Sequence, residues 1–156
     1  MKNNKFLTSK MFGAAAMSVG FCGTRVTRSI EYDDYWLLIN HQKSQYSKFF
    51  YINVCMVYKG LIFPGFTEQD AWNLYKKDAG WFPHVAFRLE NCPGVPTSLM
   101  EDIDRSVECQ DEQRLKEILV SGLRMLLNFM EDHHSRESIR RLSNEKKLSA
   151  IVCKEV

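Results

Sequence analysis

The sequence predicts an α+β fold: an antiparallel sheet of about four strands, joined as a meander, with helices packed mainly on one face. Three observations carry this. Strand-like stretches follow one another from Thr24 to Tyr58 with short polar links, residues 84–90 alternate again, and apolar stripes at helical spacing stand before and after them. With 156 residues the chain reads as one domain spanning 1–156, long enough to bury a core without metal or disulfide staples.

The N-terminus shows the outline of a signal peptide, because Lys2, Lys5 and Lys10 precede the apolar stretch Met11 to Val19. That stretch is short, contains Gly13, and is followed by Phe21 rather than a small residue before Cys22. At helical spacing Phe12, Ala15, Ala16 and Val19 form one stripe and Gly20 supplies a stop, so a structural helix is expected. No run approaches the roughly 20 apolar residues of a membrane span.

From Thr24 the period changes to two. Val26, Ile30 and Tyr32 point one way and Arg25, Thr27, Ser29 and Glu31 the other, a half-buried strand with a polar face. Asp33-Asp34 makes the turn. Tyr35 to Gln42 is the second strand and Phe49 to Tyr58 the third, both rich in aromatic and β-branched residues. Because the third is apolar on both sides, it belongs in the centre of the sheet.

Gly60 and Pro64-Gly65 then open a loop. Thr67 with Asp70 forms a capping signal for a short helix, Asp70 to Ala79, ended by Gly80. His84 to Glu90 is the fourth strand, with Val85, Phe87 and Leu89 on one face and His84, Arg88 and Glu90 on the other. Two prolines make a loop of residues 91–96, and Ser98 with Glu101 marks the next helix start. The clearest helix runs from about Asp111 to Met130. Its stripe of Leu115, Ile118, Leu119, Leu123, Leu126, Leu127 and Met130 needs an apolar partner, and the sheet is the expected one. A last helix, Arg136 to Lys147, turns Ile139 and Leu142 inward, and the end, AIVCKEV, fits no single element.

Composition excludes several function classes. At 45% hydrophobic, 26% charged and net charge +2, the chain lacks the basic excess with which nucleic-acid binders displace counterions from phosphate. Neither nucleic acid nor membrane is expected as a partner. The five cysteines are odd in number, widely spaced and without a C-x-x-C pair, which argues for reduced thiols in a cytoplasmic setting over disulfides or a zinc knuckle.

Candidate chemistry is sparse. His41 and Lys43 stand at the end of the second strand, where a hairpin tip reading QKSQYS needs polar residues without any catalytic demand. Glu131, Asp132, His133 and His134 form the densest group of potential ligands, but adjacent helical histidines point about 100° apart and cannot share a metal as an i, i+4 pair does. Trp81, His84 and Arg88 are more suggestive: His84 and Arg88 project from one strand face with Trp81 at its entrance, a set suited to an anion or a partner's carboxylate. No G-x-S-x-G elbow or Gly-rich phosphate loop is present. No catalytic residue, cofactor or metal ligand is assigned.

A helix ending in VGF, a strand RVTRSI, the run YWLLINHQKSQYSKFFYINVCMVY and the later WFPHVAFRLE together resemble the bacterial domain of unknown function 4304 family (DUF4304). The resemblance spans roughly Lys5 to Met130 and is densest at Gln42-Lys43-Ser44 and Phe50 to Val57. It implies an α+β arrangement in a bacterial cytoplasm and carries no catalytic residue with it. Two function classes follow. The first is a non-catalytic module that binds another protein, as a toxin-neutralising or immunity-type protein does. The second is an enzyme or small-ligand binder using the face of Trp81, His84 and Arg88, with Gln42, Lys43 and Ser44 from the hairpin.

Overall fold

The chain folds in the order α1 (Asn4–Ser18), β1 (Thr27–Glu31), β2 (Tyr35–Lys43), β3 (Phe50–Tyr58), α2 (Glu68–Lys77), β4 (Val85–Arg88), α3 (Leu99–Glu108), α4 (Glu112–His133), α5 (Arg136–Asn144) and β5 (Ile151–Val152). This computed structural model describes residues 4–24, 26–45 and 50–156, with side chains from Leu7 onward. Lys2, Arg25, Phe49, the tip residues Tyr46 and Ser47, and the side chain of Lys5 therefore lie outside the described set.

One antiparallel sheet has the order β1-β2-β3-β4-β5. Every neighbour in space is a neighbour in sequence, so the meander holds and β3 occupies the centre. The fifth strand comes from the ambiguous tail, where Ala86 faces Ile151 and Val85 faces Val152. Arg140 fixes that tail by donating from its guanidinium to the carbonyls of Cys153, at 2.6 Å, and Val156, at 3.2 Å.

Register sorts the strand residues onto two faces. Tyr35, Leu37 and Ile39 of β2 stand with Ile52, Val54, Met56 and Tyr58 of β3 and Val85 and Phe87 of β4, and all are buried in one cluster with residues of α1, α3, α4 and α5. The opposite face carries Trp36, Leu38, Cys55 and Val57, covered by Ala71 and Tyr75 of α2. Helices thus lie mainly on one face, with α2 the exception.

Local signals set the helix ends. The Thr67 hydroxyl accepts from the Asp70 amide and the Asp111 carboxylate from the Arg114 amide, each satisfying an otherwise orphaned N–H of the first turn. At α3 the expected cap bond is missing: Ser98 donates instead to the Asp102 carboxylate at 3.0 Å. Gly20 at φ +101° ends the N-terminal helical turn in a left-handed conformation that glycine adopts without steric penalty.

Two expectations need correction. Leu115, Leu119, Leu123, Leu126 and Met130 of α4 are buried as predicted, but α4 packs chiefly on α1 and α3 rather than directly on the sheet. The small residues Ala15 and Ala16 of α1, both fully buried, permit this close helix approach. On β1 the polar side is covered as well: Ile30 and Tyr32 pack against the main core, but Thr27 and Ser29 are also buried because α2 lies near their face, and Cys22 pairs with Ser29 along the strand's outer edge.

Gly122 stands in the middle of α4, where glycine is about 1 kcal/mol less favourable than alanine. A Cβ there would meet Leu89 at 3.4 Å and Leu99 at 3.5 Å, ordinary van der Waals distances. Gly122→Ala is therefore expected to raise the unfolding free energy by about 0.5–1 kcal/mol in urea titration. A decrease would show that the α4 interface has no room for one methyl group.

Candidate functional site

The face under α2 is apolar for only half its length. Moving along the strands away from α2, Trp36 and Leu38 give way to Asn40 and Gln42, Val57 and Cys55 to Asn53 and Tyr51, and Ala86 to Arg88. The antiparallel register sets Asn53 opposite both Asn40 and Arg88, and Gln42 opposite Tyr51, so the polar residues of three strands gather in one patch. The Asn53 amide donates to Asn40 Oδ1 at 2.9 Å and to Gln42 Oε1 at 2.7 Å. Arg88 lays its guanidinium over the Tyr51 ring, 3.7 Å from the centroid. Beside this patch opens a cleft of about 560 Å³, bounded by Gly80 and Pro83 on one side and Ser149 to Ile151 on another.

The loops flanking α2 build an aromatic rim next to the cleft. Trp81 meets Phe63, Phe66, Tyr75 and Phe82 edge-on, with centroids 5.1–6.1 Å apart. Phe63 is 47% exposed, Phe66 43% and Phe82 64%. Phe82 also holds φ at +49°, a left-handed conformation that a bulky residue adopts only under constraint. That constraint is visible, since the Tyr75 hydroxyl donates to the Phe82 carbonyl at 2.9 Å.

Of the residues singled out in the sequence, the fold brings Gln42 and Arg88 together through Asn53 and Tyr51. Lys43 alternates to the other face, opposite Phe50, and Ser44 lies just past the end of β2. Trp81 belongs to the aromatic rim. His84 is separated from both: it is 8% exposed, its Nδ1 accepts from the Tyr58 amide at 2.8 Å, and its Nε2 donates to the Leu61 carbonyl at 3.1 Å. The predicted common face of His84 and Arg88 is lost because β4 begins only at Val85, after the chain has turned inward. His41 stands near the end of β2, as expected. It is buried within β2 with its ring stacked against Phe12 and Phe50.

The remaining reactive types are engaged structurally. His133 contacts the Ser138 hydroxyl at 2.9 Å, and His134 bonds the Met130 carbonyl and stacks on Tyr35. No group of three or more His, Cys, Asp or Glu among the described residues is placed to hold a metal ion. All five cysteines are free, and burial pushes the thiol of Cys55, on the floor of the cleft, up to about 12. At neutral pH it stays a thiol.

The family model described as Domain of unknown function (DUF4304) matches residues 12–126, most of the chain and every strand of the polar patch. The chain belongs to this family. No curated protein and no solved structure matches it. Within the DUF4304 segment lie Asn40, Tyr51, Asn53 and Arg88 as well as the aromatic rim, whereas the cleft wall at Ser149 to Ile151 is added by the tail beyond the match. No helix among the described residues of this DUF4304 protein is long and apolar enough to cross a membrane.

Sequence reasoning missed Asn40, Tyr51 and Asn53. A signal was present: Asn53 interrupts the apolar alternation on one side of β3, and on β2 the matching side turns polar at Asn40.

Proposed function

We propose that this DUF4304 protein is a non-catalytic cytoplasmic module that docks another protein on its aromatic rim, in the manner of a toxin-neutralising or immunity-type protein. The observation that carries this reading is Phe82. A large apolar ring projects into solvent from a strained backbone conformation, and a buried tyrosine holds it there. Strain of this kind costs on the order of 1–3 kcal/mol and persists where a fixed geometry is useful. Aromatic side chains held rigidly at a surface are the usual anchors of protein interfaces, surrounded by residues that exclude water. Binding rather than chemistry is supported by the high-pKa Cys55 thiol and by the engagement of the His84 ring with two backbone groups. The five free thiols suit a reducing compartment.

Phe82→Asn separates docking from folding. Asparagine tolerates positive φ far better than phenylalanine, so thermal stability should be unchanged or slightly raised. Affinity for the partner captured stoichiometrically from the native host should fall by about 100-fold, the loss expected of an interface hot spot. Recovery of no stoichiometric protein, or equal affinity of the Phe82→Asn variant, would refute the reading. A partner encoded beside this gene as a toxin would select the immunity role.

A further inference from the structure

We propose that the cleft beside Arg88 is a separate binding site for a small carboxylic acid with a short apolar body. The cleft is donor-rich. Arg88 has no hydrogen-bond acceptor and no carboxylate partner among the described residues, and its contact with Tyr51 occupies one face of the guanidinium while leaving the in-plane N–H groups open. The Asn53 amide has committed both its hydrogens to Asn40 Oδ1 and Gln42 Oε1. The amide nitrogen of Asn40, which lines the cleft, is thereby left as a donor without an acceptor among the described residues. No aspartate or glutamate lines the cleft. One delocalised cation among neutral amides matches a monoanionic, planar acceptor, and the arginine fork fits a carboxylate in two parallel bonds. A phosphate dianion would call for more positive charge than the lining supplies.

The rest of the lining sets the body of the ligand. Cys55 and Ala86 form an apolar floor, and Ala150 and Ile151 an apolar wall. Ile151 is 80% exposed, an aliphatic side chain at the mouth that a bound ligand would cover. A volume of about 560 Å³ falls within the range of roughly 300–1,000 Å³ typical of small-molecule sites. The apolar end would lie toward Ile151 and the acid toward Arg88. This site stands on the sheet's polar half and does not depend on the aromatic rim.

The test is a titration of the full chain with hexanoate, followed by backbone amide NMR shifts and calorimetry, with hexanol as the uncharged probe and inorganic phosphate as the competing anion. Hexanoate is expected to shift amides of Asn53, Ala86, Arg88 and Ile151, and to bind at least tenfold more tightly than either hexanol or phosphate. Arg88→Gln, at an exposed position where folding is unaffected, should weaken hexanoate at least tenfold, and Ile151→Ser should weaken it several-fold. Absence of shifts at the cleft, equal binding of hexanol, tighter binding of phosphate, or full affinity in Arg88→Gln would each overturn the assignment.

Discussion

Trp36→Ala is expected to lower the unfolding free energy by about 3–5 kcal/mol, the range for truncating a fully buried aromatic residue. Trp36 is the centre of the smaller core. Its ring is completely buried, stacks on Trp72 at 4.9 Å and tilts against Tyr75 at 6.0 Å. Its indole N–H donates to the Glu31 carboxylate at 2.9 Å. Lys59 reaches over the ring and bridges Glu31 at 3.1 Å and Glu68 of α2 at 3.5 Å. Exposed ion pairs of this kind contribute little, on the order of 0–1 kcal/mol, so the ring and not the charges holds α2 to the sheet. Trp36→Phe keeps most of the packing and should cost only about 1–2 kcal/mol. Urea titration gives both values, and native-state hydrogen exchange should show the α2 amides opening first in Trp36→Ala. A loss below about 2 kcal/mol in that variant would mean that α2 is held by something other than this side chain.

His84→Ala carries the second large effect, about 2–4 kcal/mol. The imidazole joins the end of β3 to the loop that follows it, and its removal would orphan the Tyr58 amide in a buried setting and open a void. The same bonds fix the protonation state, since Nδ1 must be bare to accept and Nε2 must carry the proton to donate. Burial pushes the pKa below the ordinary histidine value of 6.5, opposed by the bond to the Leu61 carbonyl. The folded state therefore binds a proton less readily than the unfolded chain, and stability falls as pH drops below about 6.5, at no more than about 1.4 kcal/mol per pH unit. Below the folded pKa the loss levels off. His84→Ala should flatten this part of the pH profile. An unchanged acid slope in the variant would show that the ring takes up its proton equally readily in the folded and the unfolded chain.

Period and punctuation were enough to read most of the fold. The leucine stripe of α4, the Thr67 cap and the alternation of β2 and β3 are local features, each visible within a dozen residues. What sequence left hidden was non-local. Asn53 becomes part of a site only when pairing sets it beside Asn40 on one strand and Arg88 on another, and register is decided by the whole sheet. His84 and Arg88 were read as companions by counting in twos, but the count starts one residue later than assumed. The packing of α4 on α1 depended on Ala15 and Ala16, whose smallness matters only once a second helix lies against them. Gln42 and Arg88 were legible because one stands in the polar hairpin stretch and the other on the polar side of an alternating run, both local patterns.

The margins of the sheet have a consequence for how copies of the chain treat one another. At one border residues 21–23 fold back over β1 and engage Ser29 through both its amide and its carbonyl, and at the other β5 is two residues long. Ribbons grow by adding a strand to a long bare border, and neither border offers one among the described residues. Self-association into fibres is thus disfavoured by construction, which leaves the protein free to display an oily aromatic ridge without stacking into polymers.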